Sequence, residues 1–161
     1  MTQSNDLIDI LEEASCWPPA PLYVRVNYHD SPYELKMTDK GDWCDLYVAE
    51  TVKLKMGDFK YISMGISMEL PKGYEAIMAP RSSTFKRWGI IQTNSIGVID
   101  NSYCGDDDIW MMPVYATRDV EIPAGTRICQ FRIQKKQPDL AFVFTHSLGN
   151  ENRSGLGSSG A

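Results

Sequence analysis

The spacing of turn residues constrains this chain more than any other feature. Seven stretches read as short β-strands, and the first three alternate apolar and polar side chains: residues 22–28, 52–56, 66–70, 74–78, 109–116, 127–133 and 141–144. Gly, Pro and Asp separate them at intervals of about ten residues, which is typical of a β-sandwich or β-barrel. The sequence therefore predicts an all-β fold.

The beginning and the end of the chain follow other patterns. Residues 4–15 predict a short helix with Leu7, Ile8 and Leu11 on one face. The Pro-rich residues that follow predict a stiff linker. We therefore divide the chain into an N-terminal helix and linker at 1–21, a β domain at 22–148 and a Gly/Ser-rich C-terminal arm at 149–161.

The composition limits the kinds of partner. Apolar residues make up 43% and charged residues 23% of the 161 residues, as in a globular domain, and the net charge is −5. An acidic chain is not expected to bind nucleic acid or an anionic membrane nonspecifically, so any anion site should be a local group of arginines. The sequence has neither an apolar run of about 18 residues nor a secretory signal. We therefore expect no nucleic-acid or membrane partner.

The four cysteines, Cys16, Cys44, Cys104 and Cys129, form no C-x-x-C pair, and the two histidines are isolated. This spacing disfavours a zinc site, a disulfide framework and thiol chemistry. Reduced, mostly buried thiols in the cytoplasm fit best.

Residues 94–108 carry the most informative polar pattern. A short apolar run bends at Gly97 and is followed by a carboxylate, Asp100, three residues before an aromatic ring, Tyr103. Glycine permits a bend that a side chain would obstruct. We expect a hairpin that presents backbone N–H and C=O groups to a small planar ligand. The alternative is an ordinary surface turn with an acidic tip.

Two stretches earlier in the chain are candidate polar sites. Asp45 begins a predicted strand, where it either serves a site or satisfies its own backbone in a turn. Arg81 precedes three hydroxyl side chains at 82–84, at the start of what reads as one helical turn. These groups form either a phosphate cradle or a plain helix cap. No Walker or Rossmann glycine motif is present.

Two later stretches complete the set. In the strand at 127–131, Gln130 lies on the face opposite Cys129 and Phe131, where an outward polar residue is equally expected. The tail at 153–160 combines an arginine with glycines and serines. It reads either as a flexible tail or as a segment whose backbone N–H groups wrap a terminal phosphate.

Taken in order, these five stretches resemble the five motifs of the trimeric dUTP nucleotidohydrolases, the dUTPases. The matching segments are residues 45–46, 80–83, 97–106, 127–131 and 153–160. The resemblance covers about residues 22 to 160. It implies a jelly-roll-like β-sheet protomer and a homotrimer with active sites shared between chains. It also implies Mg²⁺-dependent hydrolysis of dUTP to dUMP and pyrophosphate by water attack on the α-phosphorus.

The resemblance also implies roles for the residues that bind the nucleoside. Asp100 matches the carboxylate that orients and deprotonates the attacking water. Tyr103 matches the ring under the deoxyribose, which leaves no room for a 2′-hydroxyl. The segment that reads uracil and crowds a 5-methyl group is formed by Asn94, Gly97, Val98 and Ile99.

The remaining matched residues are assigned to the phosphates and the metal. Arg81, Ser82 and Gln130 match phosphate contacts, and Ser83 belongs to the same substrate-binding segment. Asp45 matches a carboxylate that reaches Mg²⁺ through the water shell of the ion. The arm that closes over the γ-phosphate is matched by Arg153, Gly157, Ser158 and Ser159.

The arm departs from the usual family pattern at one position. Leu156 stands where most members have an aromatic residue that stacks on uracil. Stacking on uracil is then either weaker or supplied by another residue. A resemblance to bacterial and phage members of the family, some of which place this aromatic just after the third motif, points to Trp110 or its neighbour Ile109, and we favour Trp110. The first motif also departs, since Asp-Trp-Cys-Asp replaces the commoner Gly-Tyr-Asp while Asp45 is retained.

Two other functions are compatible with this scaffold. A dCTP deaminase shares the jelly roll and the trimer, but the spacing of Asp100 and Tyr103 and the Arg-led tail favour the hydrolase. A regulatory protein built on a dUTPase scaffold is the second alternative. The matched polar residues are all intact, so catalysis is expected, with or without a second binding role.

Overall fold

The architecture was obtained as a computed structural model, which describes residues 21–29, 31–37, 39 and 41–152. The predicted N-terminal helix at 4–15 lies outside these residues. So do the arm residues Arg153, Leu156, Gly157, Ser158 and Ser159.

The described chain is built from short strands, as the alternating pattern predicts. The strands are β1 (Arg25–Asn27), β2 (Cys44–Tyr47), β3 (Val52–Leu54), β4 (Phe59–Ser63), β5 (Ser67–Glu69), β6 (Tyr74–Pro80), β7 (Ile90–Gln92), β8 (Gly97–Ile99), β9 (Met111–Ala116), β10 (Val120–Ile122) and β11 (Arg127–Lys135). One five-residue helix, α1 (Thr84–Trp88), follows β6 and confirms the predicted helical turn. All described strands lie between residues 25 and 135.

The strands form antiparallel sheets in which sequence neighbours are rarely hydrogen-bonded. The larger sheet has the order β2-β11-β6-β8, the second has β4-β9-β7, and two pairs are formed by β1 with β5 and β3 with β10. Such non-consecutive pairing requires crossovers between sheets, as in Greek-key and jelly-roll folds. The predicted all-β, jelly-roll-like fold class is confirmed.

The core lies between the two larger sheets, and its residues come from alternate positions of the strands. In β9, Met112, Val114 and Ala116 are fully buried while Met111 and Tyr115 face outward. This is the period of two that a half-buried strand imposes. In the part of the chain that is described, no helix is long and apolar enough to cross a membrane.

Two local predictions are wrong. Residues 94–108 do not form the predicted hairpin, because β8, the strand within them, pairs with β6. The preceding strand β7 pairs with β9, so the turn at 93–96 connects two different sheets. Residues 141–144 do not form a strand in this chain. Their apolar side chains remain exposed and find no partner strand within residues 21–152 as described. A third detail was not anticipated: β11 contains a bulge between Arg127 and Cys129.

Candidate active site

Three neighbouring strands bring four polar residues together at one end of the larger sheet. Gln130 of β11 is in register with Asp45 of β2 on one side and with Ala79 of β6 on the other. Arg81 directly follows β6, and Arg127 begins β11. We call Asp45, Arg81, Arg127 and Gln130 the arginine cluster.

Ion pairs organise the arginine cluster. Asp45 Oδ1 lies 2.7 Å from Arg81 Nε, and Asp45 Oδ2 lies 2.9 Å from Arg127 Nη1. The Asp45 side chain is 16% exposed and that of Arg81 is 28% exposed, so this contact is partly protected from solvent. One carboxylate and two guanidinium groups leave one net positive charge. The cluster therefore suits an anion, and guanidinium groups bind phosphate with good geometry.

The turn after Arg81 adds hydroxyl groups to the cluster. Ser83 is the N-cap residue of α1, but its side chain makes no capping hydrogen bond. Ser82 is exposed beside it. Thr84 is buried, and its hydroxyl donates to the carbonyl oxygen of Ile128 in β11, which fixes the turn on the sheet. The Ser82 and Ser83 hydroxyls are thus not used for helix capping, in contrast to the alternative interpretation of this segment.

A second polar site lies around β8. A cavity of about 330 Å³, here called the base pocket, is lined by Tyr61, Met78, Asn94, Gly97, Val98, Ile99, Asp100, Tyr103, Ile109, Trp110 and Met111. The structure therefore brings together every predicted nucleoside-binding residue. A cavity of about 370 Å³ between β1 and β11 is slightly larger, but its lining is mainly aliphatic.

Asp100 is held in a tight turn directly after β8. Its Oδ1 accepts hydrogen bonds from the Ser102 hydroxyl and, at 3.0 Å, from the Ser102 backbone N–H. These donors, the hydroxyl first, lower the pKa of Asp100. A carboxylate stabilised in this way is ionised at neutral pH and is available to accept a proton.

Tyr103 and Asn101 fix the shape of this turn. The Tyr103 hydroxyl donates to the carbonyl oxygen of Ile109 at 3.2 Å, so the ring closes one side of the base pocket. The Asn101 side chain donates to the carbonyl oxygen of Leu70, just after β5. The position of Asp100 is therefore set by contacts on both sides of it.

The predicted stacking role of Trp110 is wrong in this structure. Its side chain is 1% exposed, and its ring packs edge-on against Phe131, with centroids 5.1 Å apart. A ring inside the core cannot lie flat on a ligand that enters from solvent. Trp110 instead forms the floor of the base pocket, and the alternative candidate Ile109 is half-buried in its wall.

Three residues near the site were not predicted. Arg127 is the first residue of the matched segment at 127–131, but its pairing with Asp45 depends on the register between β2 and β11. Tyr61 is an exposed ring on β4 that lines the base pocket. Gln92 is a buried amide beside Asn94. A glutamine directly after two isoleucines is the one sequence signal that singles out Gln92.

The arginine cluster and Asp100 lie toward opposite ends of β6. Pro80, next to Arg81, pairs with Cys129, whereas Ala76 pairs with Ile99, next to Asp100. Continuing this register places Asp100 opposite Glu75, six residues before Arg81, which corresponds to about 20 Å along the strand. Arg81 and Asp100 of one chain therefore lie at distant positions of the sheet.

The fold and these two sites define an all-β protein that combines an arginine-rich cluster with a separate pocket lined by Asp100 and Tyr103. The dUTPase family model matches residues 43–160. The prophage SPbeta-derived deoxyuridine 5'-triphosphate nucleotidohydrolase YosS of Bacillus subtilis is 49% identical over 140 residues, which cover 86% of this chain and 99% of the relative. The chain belongs to the dUTPase family.

Solved structures show the same fold. A mutant dUTPase of Staphylococcus bacteriophage 80alpha with dUpNHpp superposes with a TM-score of 0.69 at 19% identity and covers 86% of this chain and 99% of that one. A mutant dUTPase of phage phi11 of S. aureus, described with a structural Mg(II) ion, gives 0.65 at 17% identity, with 77% and 98% covered.

Proposed function

We propose that this protein hydrolyses dUTP to dUMP and pyrophosphate. The observation that carries the proposal is the base pocket, in which Asp100 and Tyr103 lie beside the polar turn at 93–96. Family membership and the dUTP nucleotidohydrolase named above support it. In this reaction a water proton passes to Asp100, the water oxygen bonds to the α-phosphorus, and the bond from that phosphorus to the bridging oxygen breaks. Pyrophosphate leaves.

The two sites have complementary tasks in this proposal. The base pocket holds uracil and deoxyribose, and Tyr103, which lines it, is assigned the exclusion of a 2′-hydroxyl. The arginine cluster neutralises the triphosphate, with Arg81, Ser82, Ser83 and Gln130 as contacts. The lowered pKa of Asp100 keeps it ionised at neutral pH, as a general base requires. Arg153, Gly157, Ser158 and Ser159 complete the site from the arm.

The position of these residues supports a homotrimer with shared sites. About 20 Å of strand separates Arg81 from the position opposite Asp100, so in this proposal a complete site combines the cluster of one chain with the base pocket of another. The exposed apolar segment at 140–148, which precedes the arm, supports association as well. Leu140, Phe142, Val143, Phe144 and Leu148 are each more than half exposed.

The residues present fit a magnesium ion that arrives with the triphosphate. In the described part of the chain no group of three or more His, Cys, Asp or Glu side chains could hold a metal by itself. Asp45 has each oxygen paired with an arginine, and further lone pairs remain for water. Asp45 would hold the hydrated ion, since Mg²⁺ usually keeps several waters. The ion would supply charge neutralisation on the phosphates.

The three described cysteines are unpaired thiols, which fits the reducing cytoplasm predicted from the sequence.

One assay tests the proposed activity. Pyrophosphate and ammonia release are measured from dUTP, dCTP, dTTP and UTP, with and without Mg²⁺. Mg²⁺-dependent release of pyrophosphate is expected to be much faster from dUTP than from the other three nucleotides. Release of ammonia from dCTP would contradict the proposal and identify the protein as a deaminase. If no nucleotide is turned over, the protein is a binding protein built on this scaffold.

A further inference from the structure

Gln92 is a buried amide placed directly behind the base pocket. It ends β7 and is 5% exposed. Its Nε2 donates to Asn94 Oδ1 at 2.9 Å and to the backbone carbonyl oxygen of Met78 at 3.4 Å. Asn94 itself is exposed and lines the pocket. Gln92 therefore connects β6 to the one side-chain amide that lines this pocket.

The Met78 carbonyl determines which way both amides point. A carbonyl oxygen can only accept, so the Gln92 side chain turns its NH₂ group toward Met78, and its own Oε1 is buried without a hydrogen-bond partner among the described residues. The second hydrogen of the same NH₂ group is donated to Asn94 Oδ1. With its oxygen engaged by Gln92, Asn94 keeps Nδ2, a pure donor, for the pocket.

The turn that carries Asn94 has little freedom to rearrange. The Ser95 backbone N–H donates to the Gln92 carbonyl oxygen at 3.3 Å, and Ser95 has a φ of 58°. Across the turn, a Cβ at Gly97 would come within 2.9 Å of the Met78 side chain, so the backbone is closely packed there. The direction of the Asn94 amide thus depends on its hydrogen bond to Gln92 and not on movement of the backbone.

We propose that Gln92 is a positioning residue that holds the Asn94 amide with its donor facing the bound base, and that this selects uracil over cytosine. The inference rests on the proposed function of the base pocket. A donor pairs with the O4 carbonyl of uracil, whereas the exocyclic amine of cytosine is itself a donor. Two donors facing each other leave buried groups unpaired, which is how such sites reject an analogue. A reversed Asn94 amide would instead accept cytosine.

The test is Gln92→Met, which keeps the length of the side chain and removes the donor. The ratio of kcat/KM for dUTP to that for dCTP is expected to fall about tenfold or more, because one hydrogen bond no longer fixes the amide. The matched control is Gln134→Met, which removes a glutamine that donates to Glu75 at 2.9 Å outside the pocket. The control ratio is expected to stay within about twofold of the parent.

The possible results separate the two proposals. Failure of the parent protein to release pyrophosphate from dUTP removes the proposed function itself. If the parent is active and Gln92→Met slows dUTP and dCTP equally, Gln92 has only a structural role and the inference is overturned.

A measurement on the unsubstituted protein decides the case if Gln92→Met does not fold. In ¹H–¹⁵N spectra, the Gln92 side-chain amide should be protected from hydrogen exchange before nucleotide is added. The Asn94 amide should shift and become protected with dUMP but not with dCMP. A Gln92 amide that exchanges as fast as an exposed one would equally overturn the inference.

Discussion

The two oxygens of Asp45 are each held by a different arginine, and Arg81 is the closer, at 2.7 Å from Oδ1. The carboxylate therefore sets the position of the guanidinium group assigned to the phosphates. We predict that Asp45→Asn raises the Mg²⁺ concentration for half-maximal dUTP hydrolysis about tenfold, a typical loss for a residue that acts on a metal indirectly. A Mg²⁺ titration measures this. Asp42→Asn, an exposed carboxylate three residues away, should change little.

The separation of Arg81 from Asp100 predicts complementation between inactive chains. Arg81→Ala and Asp100→Asn should each abolish dUTP hydrolysis alone. When equal amounts are unfolded, mixed and refolded, roughly one quarter of the shared sites receive both intact residues, if assembly is random. Pyrophosphate release should therefore return to about that fraction. If the refolded mixture forms trimers but regains no dUTP hydrolysis, each site is built from one chain.

The hydrogen bonds from Ser102 make a prediction about pH. They lower the pKa of Asp100, so its carboxylate stays ionised to a lower pH than an ordinary aspartate. Ser102→Ala removes the largest cause of this lowering and should move the acidic limb of kcat/KM to higher pH, toward the range of an ordinary aspartate. Rates measured from pH 3.5 to 6, corrected for the folded fraction by circular dichroism, test this. An unchanged limb would mean that another group controls it.

Asp100→Asn tests directly whether this carboxylate is the general base. Removing a general base typically lowers the rate about 10²- to 10⁴-fold. Binding of dUMP should persist, because the other pocket residues are untouched. A calorimetric titration with dUMP measures binding, and a variant that bound no nucleotide would assign Asp100 to recognition and not to proton transfer.

The exposed apolar segment at 140–148 allows a prediction about assembly. Phe142 and Phe144 are 93% and 82% exposed in the single chain. Burial of each ring against a neighbouring chain would contribute about 2 kcal/mol. Changing both to Ser should shift the mass measured by light scattering from a trimer toward a monomer and reduce activity with it. Met56→Ser, at an exposed turn residue, is the control and should leave the mass unchanged.

The described cysteines should differ sharply in reactivity. Burial raises the pKa of the Cys129 thiol and, to a smaller extent, that of Cys44, whereas Cys104 is exposed. Only a thiolate attacks common reagents. Peptide mapping after brief alkylation should find Cys104 modified and Cys129 intact until the protein is unfolded. Rapid modification of Cys129 in the native protein would show that β11 opens.

The strands that could be predicted were those with a buried face and a clear alternation. Residues 52–56 and 66–70 contain β3 and β5 because apolar side chains recur at every second position. β4 was missed, since Phe59, Lys60 and Tyr61 are all exposed and produce no alternation. The apolar run at 141–144 was instead predicted as a strand that the chain does not form. Its composition predicts burial but does not tell against which chain the side chains are buried.

The site residues could be named from their motifs, but their arrangement could not. Asp100 and Tyr103 are close in sequence and share the base pocket. Arg81 and Asp45 meet only through the register of β2, β11 and β6. Trp110 was misassigned because an aromatic residue at the start of a strand can face either side. Gln92 acts through Asn94, and no local pattern reveals such a contact.

The length of β6 has a consequence for the cell as well as for the site. If the proposed sharing of sites holds, a strand that keeps the two sites of one chain apart makes a newly made polypeptide inactive until it associates with other copies. At low expression, turnover would then rise more steeply than in proportion to the amount of protein synthesised. The activity per molecule would then depend on the concentration of the protein itself.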